Sequence, residues 1–292
     1  MQESAKIVCK ICVFGIFFVI LQHKLNIVIV YQIVNHMYAL ITGASSGCGY
    51  EYARIMASKG YNLLIVSNEE AIHEKAQLLR DNFPVEVRSL VMDLGRQEAA
   101  KELHNYCQEQ LLDVEVLINN AGVYHDRDFL DDSEAFNLLI MNLHMITPAM
   151  LTYYFAHDMA QRGKGYILNM CSITADIAVQ RLGSYGSTKA FLRNFTRALH
   201  VEMKDKGVII TDMTPGAINT GLYNIKPWAT KLGLILGYIV QPDYLARRGV
   251  RAMMRGRAKV SVPFVWNYLL IWLVVLFVPT CLLRLIRKMG LF

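Results

Sequence analysis

The stretch that most constrains the fold runs from Tyr38 to Lys59. A short apolar run, Tyr38–Ile41, leads into Thr42-Gly43-Ala44-Ser45-Ser46-Gly47-Cys48-Gly49, and Tyr50–Lys59 follows with apolar residues at helical spacing. Strand, glycine-rich turn and helix, in that order, are the context a dinucleotide fingerprint requires. Glycines let the backbone approach a pyrophosphate, and the start of a helix attracts that anion. The turn therefore offers Gly43, Ser45, Ser46, Gly47, Cys48 and Gly49 as candidate cofactor contacts.

The rest of the chain repeats this alternation. Strands are expected at Asn62–Val66, Val85–Met92, Val114–Ile118, Tyr166–Met170 and Val208–Met213. Helical stretches are expected around Glu70–Asn82, Gln97–Gln110 and Glu134–Thr152. Such a chain makes an α/β fold: a Rossmann-type, doubly wound parallel sheet with helices on both faces. The end of the second strand discriminates between cofactors. An acid there would hold the adenosine ribose and repel a 2′-phosphate, whereas a base would welcome the phosphate. Ser67-Asn68 is neither, and Glu69 and Glu70 follow, so the missing acid favours NADP(H) over NAD(H). Asp93-Leu94 after the third strand reads as an adenine contact or as an ordinary helix cap. Asn119-Asn120-Ala121-Gly122 ends the fourth strand; its amides can tie strand ends together and its small residues leave room for a cofactor.

A second constellation lies further on. Tyr185 and Lys189 stand four residues apart in Ser184-Tyr185-Gly186-Ser187-Thr188-Lys189, on one face of a helix. A free phenol titrates near ~10 and is a poor acid or base at neutral pH, but a neighbouring ammonium lowers that value. Tyr185 can then exchange a proton with a carbonyl or alcohol oxygen. Ser172 follows the apolar run Tyr166–Met170, and its hydroxyl could hold the same oxygen. An isolated Tyr-x-x-x-Lys is usually a solvated helix face; the serine at the preceding strand end argues otherwise here.

Together these motifs resemble the short-chain dehydrogenase/reductase family, in its short single-domain branch, over Met37 to Thr220. The resemblance implies a catalytic set of Asn142, Ser172, Tyr185 and Lys189, in which Asn142 binds a water that relays protons to Lys189. It implies further cofactor contacts at Asn120, Ala121, Gly122, Tyr185 and Lys189, and in the turn Thr214–Thr220 at Pro215, Gly216, Ile218 and Thr220. The reaction implied is carbonyl–alcohol interconversion by hydride transfer.

Composition bears on what surrounds that site. Of 292 residues 54% are hydrophobic and only 18% charged, a balance that both chain ends explain. Residues 1–36 carry apolar runs at Ile11–Leu21 and Leu25–Val34, and read either as an anchor or as sequence preceding a natural start at Met37. Residues 37–263 are the expected catalytic domain. Phe264–Leu283 is a twenty-residue stretch without a formal charge, long enough as a helix to cross ~30 Å of hydrocarbon. It reads as a membrane anchor within a hydrophobic segment 264–292, or as a helix docked on the sheet or on a second subunit of a homo-oligomer. Six cations from Arg247 to Lys259, in a basic segment Pro242–Lys259 expected to be helical, precede it and three from Arg284 to Lys288 follow, which would keep the catalytic domain on the cytoplasmic side. The net charge of +6 comes without a nucleic-acid recognition motif, so no nucleic-acid partner is expected. Cys9 and Cys12 have metal-site spacing but no second pair; no metal and no disulfide framework is expected. The segment Gly221–Val240, where the family places its substrate lid, is unusually apolar. It could pack as core or face a lipid-like ketone such as a 3-ketoacyl chain, a 3-ketosphinganine-like base or a sterol. The competing readings are a dehydrogenase of small alcohols or sugars, and a cofactor-binding scaffold without turnover.

Overall fold

A computed structural model of the chain describes residues 37–176 and 180–220, residues 230, 231, 233 and 234, and residues 239–262. The expectations for residues 1–36, for most of the segment 221–238 and for the run 264–283 lie outside the described residues.

In chain order the elements are β1 (Met37–Thr42), α1 (Gly47–Ser58), β2 (Asn62–Ser67), α2 (Ile72–Asn82), β3 (Val87–Val91), α3 (Ala99–Glu109), β4 (Asp113–Asn119), α4 (Glu134–Met141), α5 (Thr147–Arg162), β5 (Gly165–Met170), α6 (Gly183–Lys204), β6 (Val208–Pro215), β7 (Ala217–Ile218), β8 (Ile239–Val240), α7 (Pro242–Met254) and β9 (Lys259–Val262). Seven strands form one sheet in the order β3-β2-β1-β4-β5-β6-β9, every pair parallel. The order reverses between β1 and β4, and ligands of such sheets bind outside the strand ends at that point.

The sheet is buried on both faces, as its unbroken apolar strands require. Ala39, Ile41, Leu63 and Ile65 pack toward α1, α2 and α7. Leu40, Leu64, Val66 and Leu117 pack toward α3 and α5. A full side-chain burial of this kind is worth about 1.5–3 kcal/mol, and a one-residue slip would exchange the two layers, so the register is firmly set.

Three elements differ from expectation. The third strand starts at Val87 rather than Val85, because Pro84 cannot donate and the Val85 N–H turns back onto the Phe83 carbonyl. The helix expected over Glu134–Thr152 runs on to Arg162, where Gly163 at φ +69° ends it. It is interrupted by a π turn, Asn142–Ile146, in which the Thr147 N–H reaches back to the Asn142 carbonyl. The basic segment expected to stay helical to Lys259 stops at Met254; Gly256 at φ +68° turns the chain, and Lys259–Val262 adds a seventh strand beside β6.

Two short strands matter for the site. β7 and β8 pair in parallel, Ala217 with Ile239 and Ile218 with Val240, and so bring together the two ends of the apolar segment between them. Among the described residues only Glu134–Arg162 is long and apolar enough to cross a membrane. Its Leu151, Phe155 and Met159 are buried in the core, as in an internal helix, which makes it weak evidence for a span.

Candidate active site

The glycine turn is built to bring backbone against backbone. Gly43 and Gly47 have φ of +66° and +54°, and a Cβ on Gly49 would collide with the Gly43 carbonyl. The Gly43 N–H donates to the Val66 carbonyl at 2.7 Å. Asn120 Nδ2 donates to the carbonyls of Thr42 (3.0 Å) and Gly43 (3.1 Å), while Thr42 Oγ1 accepts from the Asn120 and Ala121 amides at 3.0 Å each. The ends of β1 and β4 are thus stitched together. Deeper in, Asn119 Nδ2 donates to Asn169 Oδ1 (2.8 Å) and Asn169 Nδ2 to Thr196 Oγ1 (2.9 Å), tying β4, β5 and α6.

Over these strand ends lies a cleft of about 740 Å³, a size usual for cofactor sites. Gly43 and Ser45 to Cys48 floor one end, walled by Ser67, Asn68, Asp93 and Leu94; Asn120, Ala121 and Gly122 line the middle; Tyr185, Lys189, Pro215 and Ile218 line the other end, and Thr220 closes over Gly47. The cradle at Gly43–Gly49 and the open first turn of α1 fit a dinucleotide pyrophosphate. At the first end the Ser67 hydroxyl donates to Ser45 Oγ at 3.0 Å and accepts the Glu69 N–H at 3.2 Å. Among the described residues no lysine or arginine lines that end, and Glu69 does. Asp93 both lines the cleft and caps the following turn, accepting the Gly95 N–H at 2.8 Å.

Four expected residues do not line the cleft directly. Gly49 is enclosed by Gly43 and Asn120, and the Gly216 N–H is committed to the Val262 carbonyl at 2.6 Å, joining β6 to β9. Asn142 opens the π turn, half-buried, with its carbonyl taken by Thr147. Ser172, just past β5, reaches the site through its hydrogen bond to the Tyr185 phenol.

Tyr185 (7% exposed) sits in the first turn of α6, with Lys189 (5% exposed) one turn on. Burial pushes the tyrosine up to about 12, opposed by the Ser172 hydrogen bond. Burial also pushes Lys189 down to about 8. The Lys189 Nζ donates to the Met170 carbonyl at 2.8 Å and lies 5.8 Å from the Tyr185 ring centroid. The direction expected from Lys189 is therefore reversed here: desolvation of the phenol is the largest effect, and the one opposing influence is the Ser172 hydrogen bond.

Several site residues escaped the sequence reading. Thr174 holds Ser172, its N–H (3.2 Å) and its hydroxyl (2.9 Å) both donating to Ser172 Oγ; a threonine two residues after a strand-end serine is a legible turn signal. Tyr124 meets the Tyr185 ring edge-on at 5.3 Å. His144 is buried at the cleft, which no spacing rule for histidines reveals. His125 is half-buried, 2.9 Å from Asp132, and lines a smaller pocket beside Tyr185 rather than the cleft.

A parallel sheet whose reversal point carries a glycine cradle and a long cleft defines a dinucleotide-binding protein of Rossmann type. The short chain dehydrogenase family matches residues 37–228, and the chain belongs to that family. It is 30% identical over 194 residues to the very-long-chain 3-oxoacyl-CoA reductase-B of Danio rerio, a match that covers 65% of this chain and 62% of that relative's length. Among solved structures it is similar to a bulky-bulky ketone specific alcohol dehydrogenase from Comamonas testosteroni, with TM-score 0.70 and 27% identity over 80% of this chain and 91% of the other. A short-chain dehydrogenase from Sphingobium yanoikuyae in complex with NADPH gives TM-score 0.70 and 26% identity with the same coverage.

Proposed function

We propose that this chain is an oxidoreductase that interconverts a carbonyl and an alcohol at a nicotinamide cofactor, acting as a reductase of a lipid-like ketone. The observation that carries the reading is the buried Ser172–Tyr185 pair beside Lys189, at one end of a cleft whose other end is a glycine cradle. A bound nicotinamide supplies hydride to the carbonyl carbon. Tyr185, held protonated, donates its hydroxyl proton to the carbonyl oxygen. Ser172, fixed by Thr174, orients that oxygen. Lys189 offsets the charge left on the phenolate, and Asn142 supports the return of a proton from water.

The substrate class draws on the named specificity of the Danio rerio relative and on the apolar segment 221–240. A 3-oxoacyl thioester fits first, with a 3-ketosphinganine-like base or a sterol as the related lipid ketones. NADP(H) is proposed over NAD(H): Ser67 and Asn68 place no carboxylate against a 2′-phosphate, and the Ser45 and Ser46 hydroxyls line the same end. Ser67→Asp should then shift preference toward NADH and Asn68→Arg should tighten NADPH. A wild type that binds NADH at least about tenfold more tightly, some 1.4 kcal/mol, removes this preference.

Residues 37–263 are proposed as the catalytic domain, 264–292 as a membrane segment and 1–36 as a hydrophobic extension. Membrane attachment with the catalytic domain facing the cytoplasm is supported by Arg248 and Arg251 on the outer face of α7 and Arg255 just past its end, which are exposed and have no ion pair among the described residues. Exposed Leu138, Met141, Ile146 and Tyr153, with Phe191 and Val201 on α6, support a homo-oligomer. The reading is tested by NADPH and NADH consumption in detergent with 3-oxoacyl thioesters of increasing chain length. Turnover should rise with chain length; a preference for short polar ketones or sugars overturns the lipid assignment.

A further inference from the structure

His144 is a buried titratable group at the cleft for which the scheme above has no task. It lies in the π turn, 1% exposed, and its two ring nitrogens face two different parts of the site. Nε2 is 3.0 Å from the Val123 N–H, immediately after the Asn120–Gly122 lining. A backbone N–H only donates, so Nε2 accepts and Nδ1 carries the proton. Nδ1 is 3.2 Å from Thr188 Oγ1, and that hydroxyl donates to the Tyr185 carbonyl at 2.8 Å. A directed chain of hydrogen bonds thus runs from the β4 end through His144 and Thr188 to the turn that carries Tyr185. Burial first, and then Lys189, push the imidazole well below its usual range, so it stays neutral and the direction holds. The ring also meets the Tyr185 ring edge to face at 5.5 Å, and Gly122 makes room for it: a Cβ there would lie 2.9 Å from Nε2.

We propose that His144 is a positioning residue, setting the distance between the cofactor-side strand end and the Tyr185 phenol by bonding to both sides. The proposal rests on the oxidoreductase reading. In ketone reduction the carbonyl carbon takes a hydride while its oxygen takes the Tyr185 proton, and the C=O π bond becomes the new O–H bond. The hydride would come from a cofactor held along the cleft that the β4 end lines, and the proton from α6. The Asn119–Asn169–Thr196 bonds tie these elements deeper in, and the His144 chain ties them beside Tyr185 itself. A misplacement of about 1 Å can cost about 10²-fold in rate.

The test uses the full chain in detergent, with acetoacetyl-CoA and a long-chain 3-oxoacyl thioester as probes. His144→Leu, which keeps bulk and loses both bonds, should lower kcat about 10–100-fold. Cofactor Kd should stay within about threefold, and the isotope effect on kcat from deuterated cofactor should grow as hydride transfer becomes slow. His144→Gln, whose amide offers an acceptor and a donor, should recover most of the rate. Thr188→Val cuts the same chain on another residue, should act in the same direction and serves if His144→Leu fails to fold; Thr188→Ser should be near wild type. The double variant should be no slower than the worse single one, because the chain is already broken. Unchanged kcat in a destabilised His144→Leu or Thr188→Val protein, or a His144→Gln as slow as His144→Leu, overturns the proposal. A wild type that oxidises no cofactor with any of the ketones offered overturns the oxidoreductase reading and this proposal with it, and is distinct from failure at His144 alone.

Discussion

Burial moves Tyr185 and Lys189 in opposite directions, each toward its neutral form, and this shapes the chemistry. Tyr185, pushed up to about 12, is an acid throughout the working range. Lys189, pushed down to about 8, loses its charge within that range. In the proposed mechanism Lys189 serves in its charged form, so kcat/KM for reduction should be flat below about pH 8 and fall as pH rises through it; a plateau reaching pH 10 would remove the lysine charge from the mechanism. The same shift acts on stability. The folded protein binds fewer protons than the unfolded one between about 8 and the ordinary 10.5, so the buried charge destabilises the fold below about 8 and that cost fades as pH rises. Lys189→Met should therefore lose activity while its Tm at pH 7 equals or exceeds that of wild type, the difference closing toward pH 10.5. A lower Tm at pH 7 would mean that the bond to the Met170 carbonyl outweighs desolvation. Thr174→Val, which removes one of the two donors on Ser172, should cost about 10-fold in kcat, a loss of roughly 1.4 kcal/mol, with little change in cofactor Kd.

At the scale of elements, the glycine turn and the helix of Tyr185 and Lys189 were legible because local chemistry dictates them. Gly43, Gly47 and Gly49 sit where a side chain is strained or collides, and Tyr185 and Lys189 share a helix face wherever that helix goes. Gly49→Ala should abolish cofactor binding in a titration, since a Cβ there meets backbone that cannot retreat; binding within about twofold of wild type would mean the turn is softer than its geometry implies. What was not legible depended on tertiary contacts. The π turn has no composition of its own, so Asn142 and His144 were read on a regular helix. The four-residue β9 follows a basic helix, and only the Gly256 break and the Lys-Val-Ser-Val alternation hint at it. The burial of Tyr185 against Tyr124 and His144, which reverses the expected direction of its pKa shift, cannot be seen from a Tyr-x-x-x-Lys spacing.

For the whole molecule, the sheet supplies a fixed frame whose strand ends bring the glycine turn and the proposed proton donor, Tyr185, to one cleft. A chain truncated after Pro263 keeps every described strand, including β9, so it should fold and reduce a short soluble ketone. It should move to the soluble fraction and lose activity on lipid dissolved in a bilayer; unfolding on truncation would instead make 264–292 part of the core or of a subunit interface. The central claim is that Tyr185 gives the proton in a nicotinamide-dependent ketone reduction. Cofactor oxidation by the full-length chain in detergent with a 3-oxoacyl thioester, wild type beside Tyr185→Phe, tests it most directly. Wild type should consume cofactor, and Tyr185→Phe should lose about 10²–10⁴ in rate while binding the cofactor almost unchanged. A phenylalanine variant that keeps the wild-type rate, or that loses cofactor affinity as steeply as turnover, would contradict the account.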